Sequence, residues 1–234
     1  MGLPDLSRLT TVAFDADDTL WHNEMIFRDA ETRIAGLLAE YEVEQVVKRE
    51  MYRVEIDNLP AYGYGVKGFT LSMIELADRV SEGCADGAVF REIIAVGKGM
   101  LGEPVAVMPG VREVLERLRP HYRLILVTKG DLLDQRRKLT RSGLADFFHH
   151  VEVVSDKTSA DYAEVLTRLD IAAPQLLMVG NSLRSDVLPL LALGVSAVHI
   201  PYAVTWEHER ASVEDHHDYV ELAQIGELPG LLGH

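Results

Sequence analysis

Five short apolar runs, separated by stretches of helical periodicity, are the feature that most constrains the fold of this chain. Each run contains apolar residues at consecutive positions, so the strand it predicts has apolar side chains on both faces. Such strands are typical of a parallel sheet that is covered by helices on both sides. The predicted strands are Thr11–Phe14, Leu124–Val127, Val151–Val154, Leu176–Val179 and Val195–Ile200.

The segments between the later runs have the period and the end signals of α-helices. The helix predicted over 132–142 stops at Gly143 and the one over 186–193 stops at Gly194, a residue that commonly caps a helix C-terminus. Two more helices are predicted over 111–118 and 160–169. This alternation predicts an α/β core with a doubly wound, Rossmann-like parallel sheet.

A long interruption separates the first predicted strand from the second. It runs from about Trp21 to Val107, contains no convincing strand and has helical periodicity. Its predicted helices are Ile26–Glu40, Val43–Ile56, Phe69–Ser81 and Ala88–Met100. The sequence therefore predicts two domains, a catalytic core formed by 1–20 and 108–234 and a helical cap domain formed by 21–107.

Composition restricts the partners of the chain. The net charge of -14 repels the phosphates of nucleic acids and anionic lipids, so we expect neither a nucleic-acid polymer nor a membrane as a partner. Met1–Thr10 lacks a signal-peptide pattern, and the lone Cys84 cannot form an internal disulfide, so we expect a cytoplasmic protein. An anionic ligand would need a local positive charge and a metal. The sequence leaves the oligomeric state open.

Polar residues follow four of the predicted strands directly. Because the carboxyl ends of parallel strands meet at one edge of a sheet, we expect these residues to lie together. They offer carboxylates, a hydroxyl, an ammonium group and small residues with accessible main-chain N–H groups, which suit a phosphate and a metal ion. The four groups are Asp15-Ala16-Asp17-Asp18-Thr19-Leu20, Thr128-Lys129-Gly130, Lys157, and Gly180-Asn181-Ser182 with Asp186.

In order and spacing these groups, with Phe14 before the first, resemble the haloacid dehalogenase-like (HAD) hydrolases, in the branch with a helical cap after the first strand. The resemblance spans nearly the whole chain. It implies a Mg²⁺-dependent phosphatase that acts on a small phosphate monoester through an aspartyl phosphate. Asp15 would be the nucleophile, and Asp17 would protonate the leaving oxygen and then activate water.

The resemblance also implies the ligands of the metal and of the phosphate. Mg²⁺ would be held by the Asp15 carboxylate, the Asp17 main-chain carbonyl and the Asp186 carboxylate. Many members of the family carry Asp where this chain has Asn181, so Asn181 is expected to orient a metal-bound water instead of binding the ion. The phosphate would be bound by Thr128, by Lys157, and by main-chain N–H groups that include that of Lys129.

Three residues are predicted to face the substrate. Trp21 follows the first motif directly, and Tyr64 and Lys67 lie in a loop of aromatic residues and glycines within the cap. The alternative for this loop is a packed turn between helices. The segment Pro201–Glu209 follows a strand end and is expected to border the site.

Other reactions remain open from the sequence. A dehalogenase of the same family needs neither Asp17 nor a metal, and a phosphonatase needs a cap lysine, for which Lys67 or Lys48 has no supporting context. A phosphomutase uses the same catalytic set. A non-catalytic phospho-acceptor module would leave the cap unexplained, and its acceptor could only be Asp156, which adjoins Lys157. The physiological substrate is not fixed by these residues.

Overall fold

The computed structural model of the protein describes residues 6–209 and 219–234. The chain divides into two compact units. The core unit comprises Met1–His22, Val105–Lys129 and Gln135–His234, and the helical unit comprises Asn23–Pro104 together with Gly130–Asp134. The prediction of a helical insertion after the first strand is confirmed.

The core unit is built on a six-stranded sheet in which every pair of neighbours is parallel, in the order β3-β2-β1-β4-β5-β6. The predicted parallel α/β sheet is therefore confirmed. Phe14 at the end of β1 lies opposite Leu126 on one neighbour and Val179 on the other. The sixth strand was not predicted. The strands are β1 Thr11–Phe14, β2 Arg123–Lys129, β3 His150–Val154, β4 Leu176–Gly180, β5 Ser196–His199 and β6 Val220–Glu221.

The helical unit has a hydrophobic core of its own, which includes Ile34, Met73 and Leu76. Its second helix continues through Pro60, beyond the predicted end at Ile56, because a proline in the last turn removes a single hydrogen bond. That helix ends at Gly63, whose φ is +68°. The helices are α1 Glu24–Leu37, α2 Glu44–Tyr62, α3 Val66–Val80 and α4 Gly87–Gly102.

Helices cover both faces of the sheet in the core unit. Successive residues of each strand point to opposite sides, so both faces carry apolar side chains that the helices bury. Val12 and Phe14 of β1 pack with Leu115 on one side, and Ala13 packs with Tyr162 on the other. In the part of the chain that the structure describes, no helix combines the length and apolar character needed to cross a bilayer. The core helices are α5 Val111–Leu118, α6 Leu132–Ser142, α7 Ser159–Leu169, α8 Leu188–Leu191 and α9 Leu228–Leu231.

Candidate active site

Asp15 is the first residue after β1, at the centre of the sheet, and is buried. Its main-chain N–H donates to the carbonyl of Val179 at 2.9 Å, which continues the β1–β4 ladder by one residue. Its carboxylate accepts a hydrogen bond from the Thr19 hydroxyl at 2.9 Å. The short loop after β1 therefore places the Thr19 hydroxyl as a hydrogen-bond donor to Asp15, the residue with which the loop begins.

Lys157 holds the carboxylates of two other strand ends together. It lies between β3 and α7, is 4% exposed, and places its Nζ 2.5 Å from Asp15 Oδ1 and 2.7 Å from Asp186 Oδ1. The preceding turn is fixed by a capping box between Thr158 and Asp161 at the start of α7. Thr158 thus orders the backbone immediately after the lysine.

The neighbouring charges shift the pKa values of Asp15 and Lys157. Burial raises the pKa of Asp15 to about 7, against the ammonium of Lys157, which lowers it, while the Asp186 carboxylate raises it further. Burial alone would lower the pKa of Lys157, but the two carboxylates outweigh burial and raise it well above its usual range. The lysine is therefore charged, and Asp15 takes up or releases a proton near neutral pH.

Asp186 lies in a π-helical turn, Leu183–Val187, that follows β4. One of its carboxylate oxygens accepts from Lys157, and the other accepts from the main-chain N–H of Ser182 at 3.0 Å. The turn brings Asp186 so close to β4 that a Cβ on Gly180 would lie 2.5 Å from the Cβ of Asp186. Glycine is required at 180 by this close approach.

The Asp17 carboxylate accepts hydrogen bonds from three different side chains. Trp21 Nε1 donates to one carboxylate oxygen at 2.7 Å, and Gln135 Nε2 donates to the other at 2.8 Å. Lys138 Nζ lies 2.6 and 2.7 Å from the two oxygens. Burial alone would raise the pKa of Asp17, but the charge of Lys138 and these hydrogen bonds outweigh burial and lower it.

Three oxygen-bearing groups meet between the ends of β1 and β4. The tip of the Asn181 amide lies 3.3 Å from Asp15 Oδ2 and 3.2 Å from the main-chain oxygen of Asp17. With its nitrogen turned toward these acceptors, Asn181 donates hydrogen bonds to both. With its oxygen turned toward them, the three oxygens form the ligand set that a hard divalent cation prefers. The residues present therefore fit Mg²⁺.

The remaining predicted phosphate ligands stand at the end of β2. Thr128 is buried, and Lys129 is the last residue of the strand. The Lys129 ammonium contacts Ser185 Oγ at 3.0 Å and pairs with Glu209. Glu209 in turn accepts from Ser182 Oγ at 2.5 Å and from Ser185 Oγ at 2.6 Å. The side chain of Lys129 is thus bound to Glu209, and the phosphate contact of its main-chain N–H stays a prediction.

The residues predicted to face the substrate lie in different surroundings. Trp21 has no exposed surface and packs in the hydrophobic core, so its indole orients Asp17 instead of lining an entrance. Tyr64 and Lys67 belong to the helical unit, where the Lys67 ammonium pairs with Asp131 at 2.9 Å. Their role toward the substrate stays a prediction.

Sequence reasoning missed four residues that contact the site. Gln135 and Lys138 look like the solvent face of an amphipathic helix, and only the position of α6 shows that they reach Asp17. Glu209 was included only as part of a bordering segment. His199 at the end of β5 contacts the main-chain oxygen of Asn181 at 3.0 Å and Glu221 at 3.0 Å. No local pattern marks these contacts, because each joins distant parts of the chain.

A family model described as haloacid dehalogenase-like hydrolase matches residues 9–194. A solved haloacid dehalogenase-like family hydrolase from Xanthomonas campestris is 37% identical and superposes with a TM-score of 0.88. That match covers 100% of this chain and 94% of that chain.

Two characterised relatives carry the names of phosphatases. A glyceraldehyde 3-phosphate phosphatase of Pyrococcus abyssi is 34% identical over 41% of this chain. Matches to three archaeal proteins of that name cover only 42% to 52% of their length. An N-acylneuraminate-9-phosphatase of Rattus norvegicus is 23% identical over 97% of this chain and 95% of its own length.

Proposed function

The chain belongs to the haloacid dehalogenase-like hydrolases, and on that premise we propose that it is a Mg²⁺-dependent phosphatase of small phosphorylated metabolites. The reaction would proceed through an acyl phosphate on Asp15. The observation that carries the proposal is the pair of carboxylates Asp15 and Asp17 on one short loop. They have different surroundings, which raise the pKa of Asp15 and lower the pKa of Asp17. Such a pair can divide the roles of nucleophile and proton carrier.

The chemistry takes two displacements at phosphorus. In the first, an Asp15 oxygen bonds to phosphorus, the ester P–O bond breaks, and the leaving oxygen takes a proton from Asp17. In the second, water bonds to phosphorus, Asp17 takes a proton from it, and the bond to Asp15 breaks. Asp17 is ionised in the free protein, and the approach of a phosphate dianion favours the protonated form that the first step needs.

Positive charge and fixed donors would hold the phosphoryl group. Lys157 is charged and buried beside Asp15, which supports a role in binding phosphate oxygens. Thr128 and the main-chain N–H of Lys129 at the end of β2 are proposed as further donors. These groups neutralise and orient the phosphate, which are the main requirements of phosphoryl transfer.

Mg²⁺ is proposed to bind the Asp15 carboxylate, the main-chain oxygen of Asp17 and the Asp186 carboxylate, and the amide oxygen of Asn181 beside them is a further candidate ligand. When bound, it would supply positive charge to the phosphate oxygens. Within residues 6–209 and 219–234, no group of three or more His, Cys, Asp or Glu side chains is arranged for a metal. Each Asp186 oxygen accepts one hydrogen bond, from Lys157 or from Ser182, and keeps acceptor capacity for a contact with the metal.

A phosphorylated sugar is the proposed substrate class. The two kinds of named relative are phosphatases for glyceraldehyde 3-phosphate and for N-acylneuraminate 9-phosphate, both phosphate esters of sugars. Dehalogenation is disfavoured because Asp17, which that reaction does not need, is held by three side chains.

The decisive experiment is hydrolysis of an aryl phosphate by wild type and Asp15→Asn, each with Mg²⁺ and with a chelator. We expect turnover only in wild type with Mg²⁺, because the amide cannot form the phosphoenzyme. A panel of sugar phosphates then identifies the substrate. Turnover by Asp15→Asn or in the chelator would refute the mechanism.

The metal ligands are separated by titrating Mg²⁺ against Asn181→Ala and Asp186→Asn. If Asn181 binds the ion, Asn181→Ala should need about 10- to 100-fold more Mg²⁺ for half-maximal activity, a range typical of altered metal surroundings. If only Asp186→Asn shows this change, Asp186 is the ligand and Asn181 acts through water.

A further inference from the structure

Helix α6 presents two side chains to Asp17 from one face. Gln135 and Lys138 are three residues apart, so both project from the same side of the helix. Gln135 also donates to the main-chain oxygen of Lys129 at 3.1 Å, which ties this face to the end of β2. The Asp17 carboxylate therefore depends on a helix that is remote from it in sequence.

The contacts of Lys138 define the orientation of the carboxylate. Its ammonium is within 2.7 Å of both Asp17 oxygens, and its side chain is 16% exposed. Trp21 and Gln135 donate to one oxygen each from fixed positions. With these donors in place, the plane of the carboxylate cannot rotate without breaking a charged hydrogen bond.

We propose that Lys138, supported by Gln135, is a positioning residue that fixes the Asp17 carboxylate for proton transfer to the leaving oxygen and from the attacking water. The inference rests on the proposed phosphatase function. In the first step a proton passes from Asp17 to the leaving oxygen. In the second step a proton passes from the attacking water to Asp17. One orientation of Asp17 therefore serves both transfers, and Lys138 maintains it.

Leaving groups separate the two transfers. An aryl oxide departs without a proton, whereas an alkyl oxide needs one, and proton transfer by a positioned group contributes about 10²- to 10⁴-fold to a rate. Loss of Lys138 should therefore slow formation of the phosphoenzyme from an alkyl phosphate and spare its formation from an aryl phosphate. Attack by water should be slowed with both esters, because Asp17 must accept a proton there.

The test is pre-steady-state hydrolysis by wild type, Lys138→Met, Lys138→Arg and the control Arg136→Met. Arg136 is exposed on the same helix, so its loss removes a charge without reaching Asp17. With 4-nitrophenyl phosphate, Lys138→Met should release one equivalent of 4-nitrophenolate in a burst and then turn over slowly. With an alkyl phosphate it should show no burst and about 100-fold lower kcat. Lys138→Arg should recover part of the loss, and Arg136→Met should match wild type.

Two results overturn the inference. The first is that Lys138→Met hydrolyses both esters at the same rates as Arg136→Met. The second is that Lys138→Met folds but hydrolyses both esters equally slowly, without a burst. Gln135→Leu, which removes a single donor, gives the smaller version of the expected pattern if Lys138→Met does not fold. Failure of the phosphatase proposal itself is distinct, since wild type would then show no Asp15-dependent turnover of either ester.

Discussion

Three lysines in the core unit each contact a carboxylate at the ends of the strands. Lys157 lies between Asp15 and Asp186, Lys129 pairs with Glu209, and Lys138 pairs with Asp17. The chain carries a net charge of -14, yet at this edge of the sheet its positive charges are collected and partly buried. The lysines neutralise much of the charge of these carboxylates, so an anionic substrate would meet less negative charge here than the net charge suggests.

Removal of Lys157 should affect stability as well as activity. Lys157→Met would leave the buried carboxylates of Asp15 and Asp186 without their shared cation, which costs about 3–5 kcal/mol for a broken buried pair. Urea unfolding measures this loss. Adding Asp15→Asn to Lys157→Met should restore part of the stability because one buried charge disappears. A purely additive double variant would show that the carboxylates do not depend on this lysine.

The Glu209 carboxylate should contribute to the free energy of unfolding at neutral pH, and this contribution should be lost in acid. Burial alone would raise its pKa, but the charge of Lys129 and the hydroxyls of Ser182 and Ser185 outweigh burial and lower it to about 2. The folded state therefore binds this proton less readily than the unfolded state. The stabilisation is complete above the unfolded pKa and is lost as pH falls toward the folded value.

The comparison is made between wild type and Glu209→Gln by urea unfolding. Their difference in unfolding free energy should shrink by on the order of 1 kcal/mol between about pH 6 and pH 3.5. Glu207→Gln, which removes an exposed carboxylate from the same turn, is the control for the loss of a negative charge there. A constant difference for Glu209→Gln would contradict the pairing with Lys129.

At the scale of elements, the site depends on how each strand ends. β4 stops at Gly180 and passes into the π-helical turn that carries Asp186, while β3 passes through Lys157 into the capped start of α7. The wide π turn returns Asp186 against the strand it has just left. Strand ends therefore decide which side chains meet.

Gly180→Ala should damage this arrangement. The new methyl group would overlap Asp186 and push it away from Lys157, at a cost of roughly 1–3 kcal/mol for overpacking. Phosphatase activity should fall with it. Gly99→Ala in α4 is the matched control, because its Cβ would meet nothing within 4 Å and helix propensity should stabilise it by about 0.5–1 kcal/mol. Equal effects of the two variants would show that position 180 tolerates a side chain.

Much of the fold can be predicted from local sequence patterns, but many of the side-chain contacts within the site cannot. The apolar runs predicted β1 to the residue, and five of the six strands are recognisable because each contains consecutive apolar residues, although β3 is only half-buried. β6, only Val220–Glu221, is too short to have a pattern. Trp21 looked like an entrance residue because sequence reports adjacency to Asp17 and not burial. The contacts of Lys138 and Glu209 depend on how distant helices and turns are placed.

At the scale of the molecule, the net charge should influence how substrates arrive. A dianionic ester approaches a protein of net charge -14, so the long-range field opposes association and salt should weaken that opposition. At saturating Mg²⁺ we expect kcat/KM for a dianionic ester to rise roughly two- to threefold from low to physiological ionic strength. An ester with a cationic leaving group should respond less. A decrease with salt would show that the local lysines dominate the field.

The position of β1 in the sheet has a consequence for how the protein is made. β1 is synthesised before the other described strands, but it lies between strands that begin at Arg123 and Leu176. At a synthesis rate of about 5–20 residues per second, its second neighbour follows on the order of ten seconds later. The helical unit is dominated by contacts between sequence neighbours and can form in that interval. The strand that carries Asp15 thus waits for its partners, and the candidate active site is completed only after β4 and the turn that carries Asp186 have been synthesised.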